Sequence, residues 1–136
     1  MKKFTLLSFI ALATLSCSDD DQNFPAVSLQ GKWSLKEIHS PMVRRVTTFD
    51  EGAITWNFNE SKRELAIENP TDNQSSLDSG TYSYSIGIEE NICDLALNID
   101  RPEHDLDLGC ITIDGQMLSI SKAYVDGHIY IFKKVN

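Results

Sequence analysis

The sequence predicts an all-β fold, an eight-stranded antiparallel up-and-down barrel, with a β-sandwich as the competing architecture. Three observations carry this. From Ser28 onward the apolar residues recur with period two, the mark of strands with one buried and one wetted face. Short turn-forming clusters separate the alternating runs, which favours strands that neighbour in space in chain order. No stretch carries a helical 3.6-residue period.

The elements follow in order. Gln30 to Ile38 is the opening strand, with Gly31 and Trp33 expected to form one end of the enclosed core. Ile54 to Asn59 alternates cleanly, as do Tyr82 to Ile86 and Leu118 to Ser121. Leu65 to Ile67, Cys93 to Ile99, Ile111 with Ile113, and His128 to Lys133 complete a set of about eight. Arg44 to Asp50 reads either as a short turn or as the start of the second strand. Asp114-Gly115 and Asp126-Gly127 read as type I′ hairpin turns, Asn59-Glu60-Ser61 as a third tight turn, and Asn69 to Asp78 as an exposed loop. Both barrels and sandwiches are built from such strands.

Three segments precede or make up this domain. Residues 1–16 have the form of an export signal: Lys2 and Lys3 are followed by a mainly apolar run of twelve residues, Phe4 to Leu15, too short to span a bilayer. Thr14-Leu15-Ser16-Cys17 resembles the lipobox of bacterial lipoproteins, although that family usually has Leu where Thr14 stands and a small residue where Leu15 stands. The resemblance implies that Cys17 becomes the mature N-terminus and carries palmitate-like acyl chains. Several such chains, at about 0.8 kcal/mol per buried CH₂, anchor a protein stably. Residues 17–27 then form a lipidated tether whose unpatterned part, Asp19 to Val27, reaches at most roughly 30 Å. Ser18-Asp19-Asp20-Asp21 resembles the surface-export signal of some Gram-negative lipoproteins, which implies an outer-membrane location exposed at the cell surface; a periplasm-facing location is the alternative. Residues 28–136 are the folded domain.

The charge excludes one class of partner. With 20 acids against 12 bases and a formal charge of -8, the chain lacks the clustered cations that neutralise a phosphate backbone, so no nucleic acid is expected. Loss of the signal takes two lysines and no acid, which leaves the exported form more acidic still.

Gly31-Lys32-Trp33 at the start of an eight-strand meander resembles the G-x-W opening of the lipocalin-like families, and Asp126 to Lys134 resembles their closing strand. The resemblance spans nearly all of Ser28 to Val135 and implies a small lipocalin-like lipoprotein. In lipocalins a basic side chain near the last strand packs over the tryptophan; Lys133 and Lys134 are the candidates here, in place of the usual arginine. The second lipocalin motif is missing and the chain is shorter than a typical member.

Cys93 and Cys110 lie in an exported chain, where a disulfide is the natural expectation; closing about 18 residues, it is worth roughly 3 kcal/mol by chain entropy. Their phases conflict: Cys93 alternates with Leu95 and Leu97, Cys110 opposes Ile111 and Ile113. A bulge near Gly109 would reconcile them.

The chemistry-bearing residues give no catalytic site. No G-x-S-x-G occurs, and His39, His104 and His128 stand apart from any nucleophile signature. Glu103-His104-Asp105-Leu106-Asp107 lacks the glycine and distal glutamate of a calcium loop and reads as solvated. Glu89-Glu90, Asp50-Glu51 and Glu60 are assigned to solvent as well. No enzyme, metal or cofactor is expected. Trp56, Phe58, Tyr82 and Tyr84 are the candidate lining for a small apolar or amphipathic ligand, against the default that such rings pack a core. A surface protein partner meeting the outside of a side-chain-filled barrel is the alternative. If Cys17 carries the anchor, Cys17→Ser moves the protein from the membrane to the soluble fraction on cell fractionation, and retention in the membrane contradicts the lipid anchor.

Overall fold

The computed structural model describes residues 27–70 and 77–136. The signal segment, Cys17 and most of the tether lie outside the described residues. Nine strands, β1 Gly31–Ser40, β2 Arg45–Thr48, β3 Thr55–Asn59, β4 Glu64–Glu68, β5 Gly80–Glu89, β6 Cys93–Ile99, β7 Leu106–Asp114, β8 Met117–Ser121 and β9 Ile129–Lys134, make one antiparallel sheet. They pair in chain order from β3 to β9, and β9 returns to β1 to close an eight-stranded up-and-down barrel.

Strand β1 holds this closure along its whole length. One edge faces β9 from Trp33↔Lys134 to His39↔Ile129. The other meets β3 from Gly31↔Phe58 to Ser34↔Thr55, and then β2 from Glu37↔Thr48 to Ser40↔Arg45. Leu35 N–H donates to Ile54 O and Phe49 N–H to Lys36 O, both at 2.9 Å, so β2 and β3 are two halves of one returning strand interrupted at residues 50–53. Arg44 to Asp50 is therefore mostly strand, and it supplies the ninth segment. A register shift between Leu35 and Glu37 changes the phase of β1, which is how Trp33, Leu35 and Ile38 all come to be buried.

One end of the barrel is plugged. Trp33 is 2% exposed, and its indole N–H donates to Leu29 O at 2.7 Å. The Lys134 ammonium sits 4.4 Å from the Trp33 ring centroid and also donates to Gln30 O, so of the two candidate lysines it is Lys134 that covers the ring. Gly31, at φ 104°, makes room for it: a Cβ there would stand 3.1 Å from Lys134 Nζ. Glu60 in the β3–β4 turn accepts from Leu29 N–H at 2.7 Å and Ser28 Oγ–H at 3.1 Å, and its own N–H donates to Gln30 Oε1 at 2.9 Å. Glu60 is thus a clasp on the entering chain and not a solvated carboxylate.

Two bulges interrupt this part of the sheet, and the one in β6 settles the cysteine phases. Between Gly87↔Ala96 and Glu89↔Cys93 strand β6 carries an extra residue, and between Leu97↔Gly109 and Asn98↔Asp107 strand β7 carries Leu108. Cys93 is thereby turned out of the phase of Leu97, and the two cysteines form a disulfide with Cα atoms 5.9 Å apart. Gly109 has φ 95° and lies so near β8 that a Cβ would be 2.2 Å from Ser121 O.

Turn chemistry differs from the sequence expectation in two places. Asp114 ends β7, opposite Met117, and of the two turn residues only Gly115 has positive φ, so the reversal is not type I′. Asp126-Gly127 does not form a two-residue hairpin: the β8–β9 connection contains a 3₁₀ turn, Ala123–Val125, capped by Asp126 at φ 58°. At the long β4–β5 loop, whose residues 71–76 lie outside the described residues, buried Asn69 ties the ends together by two donations: its N–H donates to Ser79 Oγ at 2.7 Å and its side-chain amide to Leu77 O at 3.1 Å.

Replacing Trp33 by Ala removes the plug and the indole hydrogen bond together. The expected loss is about 3–5 kcal/mol, as for large aromatic truncations in cores; an unchanged melting temperature contradicts the role assigned to this ring.

Candidate functional site

The alternation of the strands sends a continuous set of rings inward. Trp56 and Phe58 of β3 are 0% exposed and Tyr84 of β5 is 2% exposed. Trp56 lies 4.9 Å from Phe132 and 5.9 Å from Tyr130 between centroids, and Phe58 meets Tyr84 edge-on at 5.3 Å. Leu35, Leu65, Leu97, Ile99, Leu118 and Ile120 fill the space around them. Three of the four candidate ligand-lining residues therefore stand together in the core. Tyr82 does not join them in full; it is half-buried at the core margin, and its hydroxyl donates to Asp78 O at 2.9 Å.

Two polar atoms in this ring cluster are unusual. Among the described residues the Trp56 indole N–H and the Tyr84 hydroxyl are buried without a hydrogen-bond partner, a state that costs about 1–3 kcal/mol per group. Burial pushes the Tyr84 phenol above its ordinary value, the Glu60 carboxylate adds to the rise, and Arg63 opposes it; Tyr130 is raised by burial.

The end opposite Trp33 carries the depression. Its apolar walls are Leu106 and Leu108, from the start of β7, and the ring of Tyr130. Lys122, Gly127 and His128, from the β8–β9 connection, with Asp107, complete a hollow of about 210 Å³. Lys122 Nζ lies 2.8 Å from Asp107 Oδ2 and donates to Asp107 O at 3.1 Å, while Gly109 N–H donates to Asp107 Oδ1 at 2.8 Å. Gly127 is required by space, since a Cβ would meet Lys122 Cβ at 2.7 Å. His128 Nδ1 is hydrogen-bonded to Ser40 Oγ at 3.0 Å, which ties the β1–β2 and β8–β9 connections together. Tyr130 is the link to the interior, with one side on the hollow and its ring stacked near Phe132 and Trp56. Exposed apolar side chains surround this mouth: Met42, Val43 and Val46 on the β1–β2 side, Tyr124 and Val125 on the β8–β9 side.

Leu106, Leu108 and Lys122 carry no mark of a site in the sequence. They come from two segments that only the β7–β8–β9 meander brings together. Glu103, His104 and Asp105 are exposed in the β6–β7 connection, and Asp107 is taken up by Lys122. Among the described residues no group of three or more His, Cys, Asp and Glu side chains converges to hold a metal ion. No family model, curated protein or solved structure matches this chain.

The unpartnered Tyr84 hydroxyl gives a direct expectation. Tyr84→Phe leaves stability unchanged or raises it by about 1 kcal/mol, because no hydrogen bond is lost and a desolvated hydroxyl is removed; a loss well beyond that would reveal a partner in solution. A raised folded pKa means that the unfolded chain releases the phenolic proton first. The contribution of Tyr84 and Tyr130 is thus complete below the unfolded value near 10 and is lost as pH rises past it. Thermal melts of the Tyr84→Phe, Tyr130→Phe double variant should show a shallower decline in that range.

Proposed function

We propose that the protein is a lipocalin-like lipoprotein that binds a small amphipathic molecule at the mouth of its barrel and performs no chemistry on it. In this reading Cys17 holds it to the outer membrane and the domain stands at the cell surface. The observation that carries the proposal is the hollow of about 210 Å³, whose apolar floor continues through Tyr130 to the Trp56 ring. Leu106, Leu108 and Tyr130 would take the apolar part of the ligand, while the Lys122 ammonium and the His128 ring offer donors to its polar end. The volume is below the roughly 300–1,000 Å³ of pockets for drug-sized ligands, so a short-chain molecule suits it. Trp56, Phe58 and Tyr84 form the packed core behind the site, and the unmet indole donor of Trp56, whose ring neighbours Tyr130, favours a ligand or water that reaches inward. The tether enters at the Trp33 end, so an anchor at Cys17 leaves the mouth on the side away from the attachment point.

The exposed Met42, Val43, Val46, Tyr124 and Val125 favour a second reading, an accessory lipoprotein that meets a surface protein through the same rim. Native mass spectrometry of the protein taken from its own host, followed by organic extraction, separates the two. A stoichiometric small molecule that Leu106→Lys abolishes is the expected result. Protein that arrives empty, or a retained molecule indifferent to Leu106→Lys, contradicts binding at the mouth.

A further inference from the structure

Strand β2 leaves one edge of the sheet open. Among the described residues it pairs with β1 and with no other strand. The Phe49 amide points at β1, where it donates to Lys36 O. By the alternation of an antiparallel ladder, Thr47 and Arg45 also bond toward β1, and the N–H and C=O groups of Val46 and Thr48 turn to the open edge. Arg45, Val46 and Thr48 are exposed. Such an edge is a template for another strand.

The sequence of the edge specifies which strand. Arg44-Arg45-Val46-Thr47-Thr48-Phe49-Asp50-Glu51 carries two bases at one end and two acids at the other, so a reversed copy brings unlike charges together. A two-fold axis perpendicular to the sheet keeps each residue on its own face, so the axis must pass through a residue position. Centred on Thr47, the pairing sets Thr47 against Thr47 of the second copy and Val46 against Thr48 in hydrogen-bonding positions. It also sets Arg45 against Phe49 and brings Arg44 beside Asp50, with Glu51 on the diagonal from Arg45. Centred on Thr48 instead, Val46 would face Asp50 and lose that match. Among the described residues Arg44, Arg45 and Asp50 make no ion pair. Glu51 stands 3.9 Å from Lys133 in a half-exposed contact that is easily exchanged.

We propose that two copies of this chain dimerise by antiparallel pairing of their β2 edges about Thr47, which extends both barrels into one continuous sheet. Roughly four backbone hydrogen bonds and the crossed Arg–acid pairs hold the contact. An interface this short gains from two-dimensional confinement, which raises the effective concentration of tethered partners.

Full-length Thr47→Cys protein, oxidised in the membranes of its host and run on a non-reducing gel, tests the register. Thr47 of each copy faces its twin at a separation a disulfide can span. The expected result is a covalent dimer from Thr47→Cys and at most a tenth as much from Thr112→Cys, an exposed position on β7. No dimer from Thr47→Cys, or equal yields from both positions, overturns the proposal. In the Thr47→Cys background, Arg44→Asp and Asp50→Arg should each lower the yield at least fivefold, and the two together should restore it. Single variants that cross-link as well as the parent, or a double variant that stays low, also overturn it.

Discussion

The barrel depends on β1 being bonded on both edges. Ten residues cannot be satisfied on two sides by neighbours of ordinary length, and the chain solves this by giving one edge to β9 and dividing the other between β2 and β3. Closure removes the open edges that make an isolated sheet prone to association. Among the described residues the outer edge of β2 stays unpaired, because β4 ends level with Thr55 and has no residues to pair with the upper half of the returning strand.

The same division sets up two unlike ends. At one, Trp33 is held from below by Leu29 O and from above by Lys134, and Glu60 fastens the incoming chain across it. The Trp33 indole N–H, the Leu29 N–H and the Lys134 ammonium all have partners there, which suits a permanent seal. At the other end the connections are longer, the apolar side chains are exposed, and the contacts are few: Ser40 with His128, Lys122 with Asp107. Between the ends the rings of Trp56, Phe58, Tyr84, Tyr130 and Phe132 fill the interior, with two donors left unpaired. A barrel of eight strands is narrow enough for its own side chains to occupy, which is why binding is placed at the mouth and not in a deep cavity.

Much of the fold was legible in the sequence, for physical reasons. Period-two runs such as Ile54 to Asn59 reflect strands that are half buried, and the conflict between the phases of Cys93 and Cys110 pointed to a bulge; one does lie beside Gly109, but the bulge that reconciles the cysteines is the one in β6, next to Cys93. Strand β2 was ambiguous because Arg45 to Thr48 has no buried residue and so carries no alternation to read. Asp126-Gly127 misled because aspartate in the left-handed region also caps a 3₁₀ turn, and the two uses share one dipeptide. The mouth was not legible. Its lining is set by which strands neighbour after closure, and Leu106, Lys122 and Tyr130 have no spacing that marks them as a group; the aromatic residues that do stand out in the sequence turned out to be core.

On the proposed reading the Trp33 end is sealed, and the Trp56 ring continues through Tyr130 to the hollow that takes the ligand. The chain has two tryptophans, paired across β1 and β3, and their indole N–H groups differ: that of Trp33 is held by Leu29 O, and that of Trp56 has no partner among the described residues. A ¹H–¹⁵N titration of the full-length protein with decanoate, a short amphiphile with an acidic head, measures both at once. The account predicts that the Trp56 indole resonance, 5.9 Å from the Tyr130 ring by centroids, shifts and saturates while Trp33, bonded to Leu29 O, stays in place. A shift at Trp33 with Trp56 unmoved, or no shift at either below the micelle-forming concentration, would contradict it.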